Sequence, residues 1–290
     1  MVIKILWFLL PIMVLGFLLA GAAGDNTFPR SIHQVKFFDQ QTFYEGIDKT
    51  KSAKPFLTHI TGGIIPHHLF AGFIIADFFY RLSPQQPKTI ILLGPNHFEK
   101  GNFKVLTSLY SWDTPFGVVD ADEEIIMSLI FSNLIKLDEE VLPNDHAVSG
   151  IMPFIKYYLP QAKVVPILLS GKLNKNDSAV LANSLSKFIT KDAVVVAAVD
   201  FSHYLTSSQA KKKDQTTLAV MKDFDYKQLY LLNNDYLDSP PSIGALLMVM
   251  QNLGTTKMDL LYHSNSGEMQ KNDYIETTSY FEIAFWGLSK

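Results

Sequence analysis

Lys88-Thr89-Ile90-Ile91-Leu92-Leu93-Gly94-Pro95-Asn96-His97-Phe98-Glu99-Lys100-Gly101 is the stretch whose reading decides the fold. Four consecutive apolar residues, Ile90 to Leu93, run into Gly94-Pro95, a pair that does not continue a regular strand, and His97 follows at once. The stretch therefore predicts a buried strand with a histidine at its exit. Ligands of open α/β sheets sit at strand ends, so a polar side chain there is a candidate functional group.

Working outward, the same pattern returns twice. Ala193 to Val199 is a run of alanine and valine, as buried parallel strands tend to be, and it ends in Asp200-Phe201-Ser202-His203. Phe56 to His68 reads as a strand broken by Gly62-Gly63 and ended by Pro66-His67-His68. Lys163 to Leu169 is a further buried strand, and two late strands, 258–263 and 278–286, close the chain. Between them, periodicity predicts helices at 69–82, 120–134, 177–189, 207–222, 226–232 and 241–252. Alternation of this kind implies an α/β fold with a central, mostly parallel or mixed sheet covered by helices on both faces.

A chain of 290 residues with 48% apolar and 18% charged residues suits one large domain with a substantial core. The expected organisation is a signal peptide or membrane anchor over 1–24, a linker or N-terminal arm over 25–54 and the α/β domain over 55–290. Lys4, the apolar run Ile5 to Ala23 and its small-residue close carry the first assignment. They imply export, with the body anchored in a membrane if the segment is uncleaved, or secreted or periplasmic if it is cleaved. A net charge of −3 argues against nucleic acid as a partner. The absence of cysteine excludes disulfides, thiolate nucleophiles and zinc–thiolate sites, so any metal must be held by nitrogen and oxygen.

Of eight histidines, His67, His97 and His203 each lie within about four residues of the exit of an expected strand. One such histidine is most often a hydrogen-bonded structural residue; three in the same topological position converge if their strands are parallel neighbours. Imidazoles joined by a carboxylate form a common iron or zinc site. Asp200 offers that carboxylate and, with His203, a general acid/base, its alternative role being a helix N-cap. His146 beside Asp145 is a fourth candidate, on a loop. His33, His59, His68, His263 and Glu268 read as structural, and there is no Gly-x-Gly-x-x-Gly, Walker, Gly-x-Ser-x-Gly or His-Glu-x-x-His motif.

Four ordered motifs then carry a resemblance: Ile-Ile-Pro-His-His-Leu-Phe-Ala-Gly at 64–72, Leu-Gly-Pro-Asn-His at 93–97, Asp-His-Ala-Val-Ser-Gly-Ile-Met-Pro-Phe-Ile at 145–155 and Val-Asp-Phe-Ser-His-Tyr at 199–204. Over 55–288 the chain resembles the MEMO family, also called AmmeMemoRadiSam system protein B. The resemblance implies a fold like that of the LigB-type class III extradiol dioxygenases, His67 and His97 as metal ligands, and Asp200, His203 and Asp145-His146 lining the same pocket. Where the family carries a cysteine ligand before a glycine, this chain has Ile243-Gly244. The resulting expectation is a transition metal on His67, His97 and His203, iron first with copper or zinc as alternatives, and His203, Asp200 and His146 as catalytic groups. It allows two readings: a metal-dependent oxidoreductase of the dioxygenase type, or a non-catalytic extracytoplasmic module that captures a metal, peptide or small ligand.

Overall fold

The computed structural model describes residues 31–50 and 52–287, all belonging to one unit that begins at Ser31. The segment read as a signal peptide or anchor lies outside the described residues, among which no helix is long and apolar enough to cross a membrane. The strands are β1 (Ile32–Gln34), β2 (Gly62–Ile65), β3 (Thr89–Pro95), β4 (Val105–Thr107), β5 (Ser111–Thr114), β6 (Gly117–Val119), β7 (Lys136–Leu137), β8 (Lys163–Leu169), β9 (Ala193–Ala198), β10 (Phe201–Leu205), β11 (Lys257–Asn265) and β12 (Thr277–Trp286). The helices are α1 (Gln40–Thr50), α2 (Gly72–Leu82), α3 (Glu123–Phe131), α4 (His146–Ser149), α5 (Met152–Tyr158), α6 (Lys175–Leu185), α7 (Ser207–Lys222), α8 (Tyr226–Leu229), α9 (Pro240–Leu253) and α10 (Ser266–Met269).

The main sheet runs β10-β12-β2-β9-β3-β8-β4-β7, with β11 on the other edge of β12. Its centre, β2-β9-β3-β8, is parallel, while β12 and β4 join antiparallel on either flank, so the sheet is mixed. β3 lies at its heart with every residue buried. Strand alternation sends Ile91 and Leu93 to one face, in a core shared with α6 and α9, and Ile90 and Leu92 to the other, with α2 and α5. Both faces being covered, the strand reads as a continuous apolar run. Gly94 and Pro95 extend β3 instead of stopping it, Gly94 because a Cβ would meet the Ala147 side chain at 2.9 Å.

Gly62-Gly63, expected to interrupt a strand, begins β2, and residues 56–61 lie outside it. The glycines answer a packing demand. A Cβ on Gly63 would fall 2.2 Å from the Phe78 ring of α2, and one on Gly62 would fall 2.9 Å from Met250 of α9. Helices thus press on this strand from both faces.

Residues 31–50, expected as an arm, carry β1 and α1. β1 pairs with β5 in a small sheet, and α1 packs on α2 through Gly46, where a Cβ would lie 3.1 Å from the backbone nitrogen of Phe73. His33 is held by Ser108 at 2.8 Å and by Glu139 at 2.9 Å. His59 is exposed.

Candidate metal centre

Because β2, β9 and β3 are parallel neighbours, their carboxyl ends open on one edge of the sheet, where Pro66-His67, Val199-Asp200 and Asn96-His97 emerge side by side. His67 is fully buried, and its Nδ1 lies 3.0 Å from the Ala198 carbonyl. A carbonyl only accepts, so Nδ1 carries the hydrogen and Nε2 is left with the lone pair in the neutral ring. His97 is fixed in the same sense by Asp145, which accepts from the backbone N–H at 2.9 Å and faces Nδ1 at 2.8 Å. A carboxylate behind the imidazole orients the ring and raises the basicity of the other nitrogen, as behind metal-bound histidines. Asp145 also caps α4 through the Ala147 N–H, setting His146 at the helix start.

His146 stacks on His97 at 4.1 Å between ring centroids, and its ring lies 5.0 Å from that of His67. His67, His97 and His146 each offer a nitrogen within 4.8 Å of the others. Of the three residues expected to hold the metal, the structure therefore brings His67 and His97 together, and His146 completes the cluster where His203 was expected.

His203 sits inside β10, which is irregular around it: pairing with β12 shifts on both sides, and Tyr204 adopts a left-handed φ of 59°. A bulky residue there is strained, and such bulges re-aim neighbouring side chains. Its Nδ1 is buried and has no hydrogen-bond partner among the described residues. It lies close enough to His68 and Asp238 for its charge to bear on both.

Asp200 is not a helix cap. It accepts from the backbone N–H of His67 at 3.1 Å and approaches His67 Nε2 to 3.5 Å with its second oxygen. It thereby ties the end of β9 to the exit of β2. His68 turns away to the Tyr280 hydroxyl at 2.8 Å.

Asp238 joins the site without any signal in the sequence around it. Its Oδ2 lies 3.2 Å from His67 Nε2 and 3.8 Å from His97 Nε2, and with His67 and Asp200 it forms a second cluster of ligand atoms within 4.8 Å. The segment before it runs antiparallel beside the start of β10: Ser202 and His203 donate to the Tyr236 and Asn234 carbonyls, and Asp238 N–H donates to the Asp200 carbonyl. Ser239 caps α9 one residue later, with Pro240 at the first helical position. In sequence, an acidic residue before Ser-Pro-Pro looks like the dressing of a helix start. Ile243, where the resemblance led us to expect the counterpart of a cysteine, is fully buried in the apolar core around α9.

The electrostatics separate the rings. Burial alone would discharge His67, but the carboxylates of Asp200 and Asp238 outweigh it and raise its pKa to about 10. For His146 the balance is the reverse: burial, and then the charges of His67 and His97, outweigh Asp145 and Asp238 and lower it to about 3, which favours the neutral imidazole. Asp238 is held well below the ordinary carboxylate range; burial opposes ionisation, and the facing His67 and His97 more than reverse that. His97 is raised, burial being outweighed by Asp145 and Asp238.

Three imidazoles and two carboxylates thus converge at the strand ends of an α/β sheet, in groups whose geometry could hold a metal ion. The Memo-like protein family model matches residues 39–283, and the chain belongs to that family. A MEMO1 family protein of Sulfurisphaera tokodaii is 27% identical over 232 residues, covering 77% of this chain and 81% of the relative. One from Caldivirga maquilingensis is 27% identical over 266 residues, covering 88% and 93%. Among solved structures, an uncharacterized protein of Escherichia coli K12 shares the fold with a TM-score of 0.54 at 12% identity, covering 77% of this chain and 99% of its own.

Proposed function

We propose that the chain is a metal-dependent oxidoreductase of the dioxygenase type, its metal held by Nε2 of His67 and His97 and by His146. One observation carries this reading: both Nδ1 atoms are committed, to the Ala198 carbonyl and to Asp145, so the remaining lone pairs point into one space. Ferrous iron fits the nitrogen and carboxylate donors, and when bound it would supply Lewis-acid and redox chemistry. The chain's own residues do the rest. Asp145 and Asp200 hold the rings in place, and His97, 22% exposed, marks the side open to a substrate. His203, whose buried Nδ1 is unpartnered, is the group to accept and return a substrate proton. Phe98 and Tyr204, exposed and each next to a pocket histidine, favour a planar organic molecule at the mouth.

The test is metal analysis of the full chain after anaerobic loading with ferrous iron, beside His67→Ala and His97→Ala. One iron per chain, lost in both variants, is expected; an iron-free wild type overturns the reading. Oxygen uptake with a catechol panel then separates turnover from capture, since a loaded protein that consumes no oxygen is the binding module. Export through 1–24 belongs to the same proposal. Cell fractionation that finds the body wholly in the cytosol would refute it.

A further inference from the structure

We propose that Asp238 is itself a ligand of the metal, an oxygen donor that this chain brings from the turn before α9, which makes the centre selective for a divalent cation of the ferrous or manganous kind over cuprous copper. The proposal rests on the metal-centre reading above and adds the residue that sets its chemistry. The Asp238 side chain is only 8% exposed, and neither oxygen has a hydrogen-bond partner among the described residues. A buried carboxylate without hydrogen bonds is costly, and proteins keep one only when a charge answers it. What faces it is the Nε2 of His67 at 3.2 Å and of His97 at 3.8 Å, the two atoms whose lone pairs the Ala198 carbonyl and Asp145 leave free. Lone pairs on two nitrogens and an oxygen repel one another unless a positive charge lies among them. Without metal that charge is a proton; with metal it is the cation.

The position of Asp238 is built. Its N–H is bonded to the Asp200 carbonyl at 3.1 Å, and Ser239 and Pro240 start a helix directly after it, so the carboxylate is aimed by two elements. Ile243 offers no donor, and the chain has no thiolate. Imidazole with carboxylate suits iron, manganese and zinc, whereas cuprous copper prefers sulfur.

Cobalt(II) titration of the full chain tests this, read by its visible spectrum and by competition with a chelator, for wild type, Asp238→Asn, Asp238→Cys and His67→Ala. Wild type is expected to bind one cobalt with no sulfur charge-transfer band. Asp238→Asn, nearly the same shape, should bind about 100-fold more weakly or worse, since even outer partners of metal ligands are worth 10–100-fold. Asp238→Cys should recover binding, gain a thiolate-to-cobalt band and take up cuprous copper. Wild-type affinity in Asp238→Asn, or a cobalt-loaded Asp238→Cys without the thiolate band, overturns the ligand assignment and leaves the histidine centre standing. Wild type without cobalt, or His67→Ala binding as wild type does, removes the centre and this proposal together.

Discussion

Asp214 and Asp238 are both withdrawn from solvent and both face a histidine, yet their surroundings differ. Asp214, on α7, accepts from the Ser202 hydroxyl at 2.7 Å with one oxygen and meets His263 Nε2 at 2.8 Å with the other. The His263 ring is stacked flat on Phe281, 4.3 Å away. Every strong group in that cluster has a partner, so it binds β10, β11 and α7 together and has nothing left to offer a ligand. Around Asp238 the partners are missing, and the free atoms point at one another. A serine, a histidine and an aspartate in contact thus do not make a catalytic site. Convergent donors left without hydrogen bonds are the better candidate, because the fold then carries a cost that a bound cation would relieve.

The largest effect that would break or sharpen this contrast is thermal stabilisation by metal. At a thousandfold excess over Kd, a cation that binds only the folded protein adds about 4 kcal/mol. Wild type and His263→Ala should show the same rise in Tm on adding ferrous iron anaerobically, although His263→Ala starts lower. His67→Ala should show none. A rise that survives in His67→Ala and vanishes in His263→Ala would reverse the assignment of the two clusters.

Next in size is Asp214→Ala. It leaves the buried Ser202 hydroxyl only the Ala210 carbonyl at 3.4 Å and takes the carboxylate from the partly exposed His263 ring, which costs about 2 kcal/mol. Chemical denaturation should show that loss, while cobalt or iron affinity stays at the wild-type value. A weakened metal affinity at unchanged stability would mean that the Asp214 cluster serves the metal after all.

How much of this was visible in the chain depends on the distance over which each feature is decided. β3, β8 and β9 were readable because a strand buried on both faces needs an unbroken apolar run. α7 was readable over 207–222, its capping box of Thr206 and Gln209 fixing the start locally. His67 and His97 were readable because each follows its strand directly. α1 was hidden: its composition is polar on average, and what makes it a helix of this domain is Gly46 meeting the backbone of α2. The placement of His203 in a strand of its own was not readable, because Val199-Asp200 breaks the chain into two strands, β9 and β10, instead of one strand and a turn. Asp238 was out of reach altogether, since the 234–238 segment finds the site by pairing with residues 200–203.

The smallest effect belongs to a third cluster, His33 with Ser108 and Glu139, which joins β1 to the body and is satisfied in the manner of Asp214 but partly open to solvent. Glu139 accepts from His33, from the Ser108 hydroxyl and from the Leu109 N–H at 3.0 Å. Burial raises its pKa, and these three contacts together outweigh burial, so the net shift is below the ordinary 4.5. A carboxylate with a depressed folded pKa stabilises the protein fully above its unfolded value and loses that contribution as pH falls through the folded one. Glu139→Gln should therefore cost about 1 kcal/mol at neutral pH, the worth of a few solvent-touched hydrogen bonds, and the difference from wild type should shrink as the solution is acidified below about 4.5. Proteolysis of the 31–50 region should quicken in the variant with metal affinity untouched. A variant whose deficit grows in acid would show that the pKa of Glu139 is raised in the folded protein, and the cluster would then not be satisfied in the manner of Asp214.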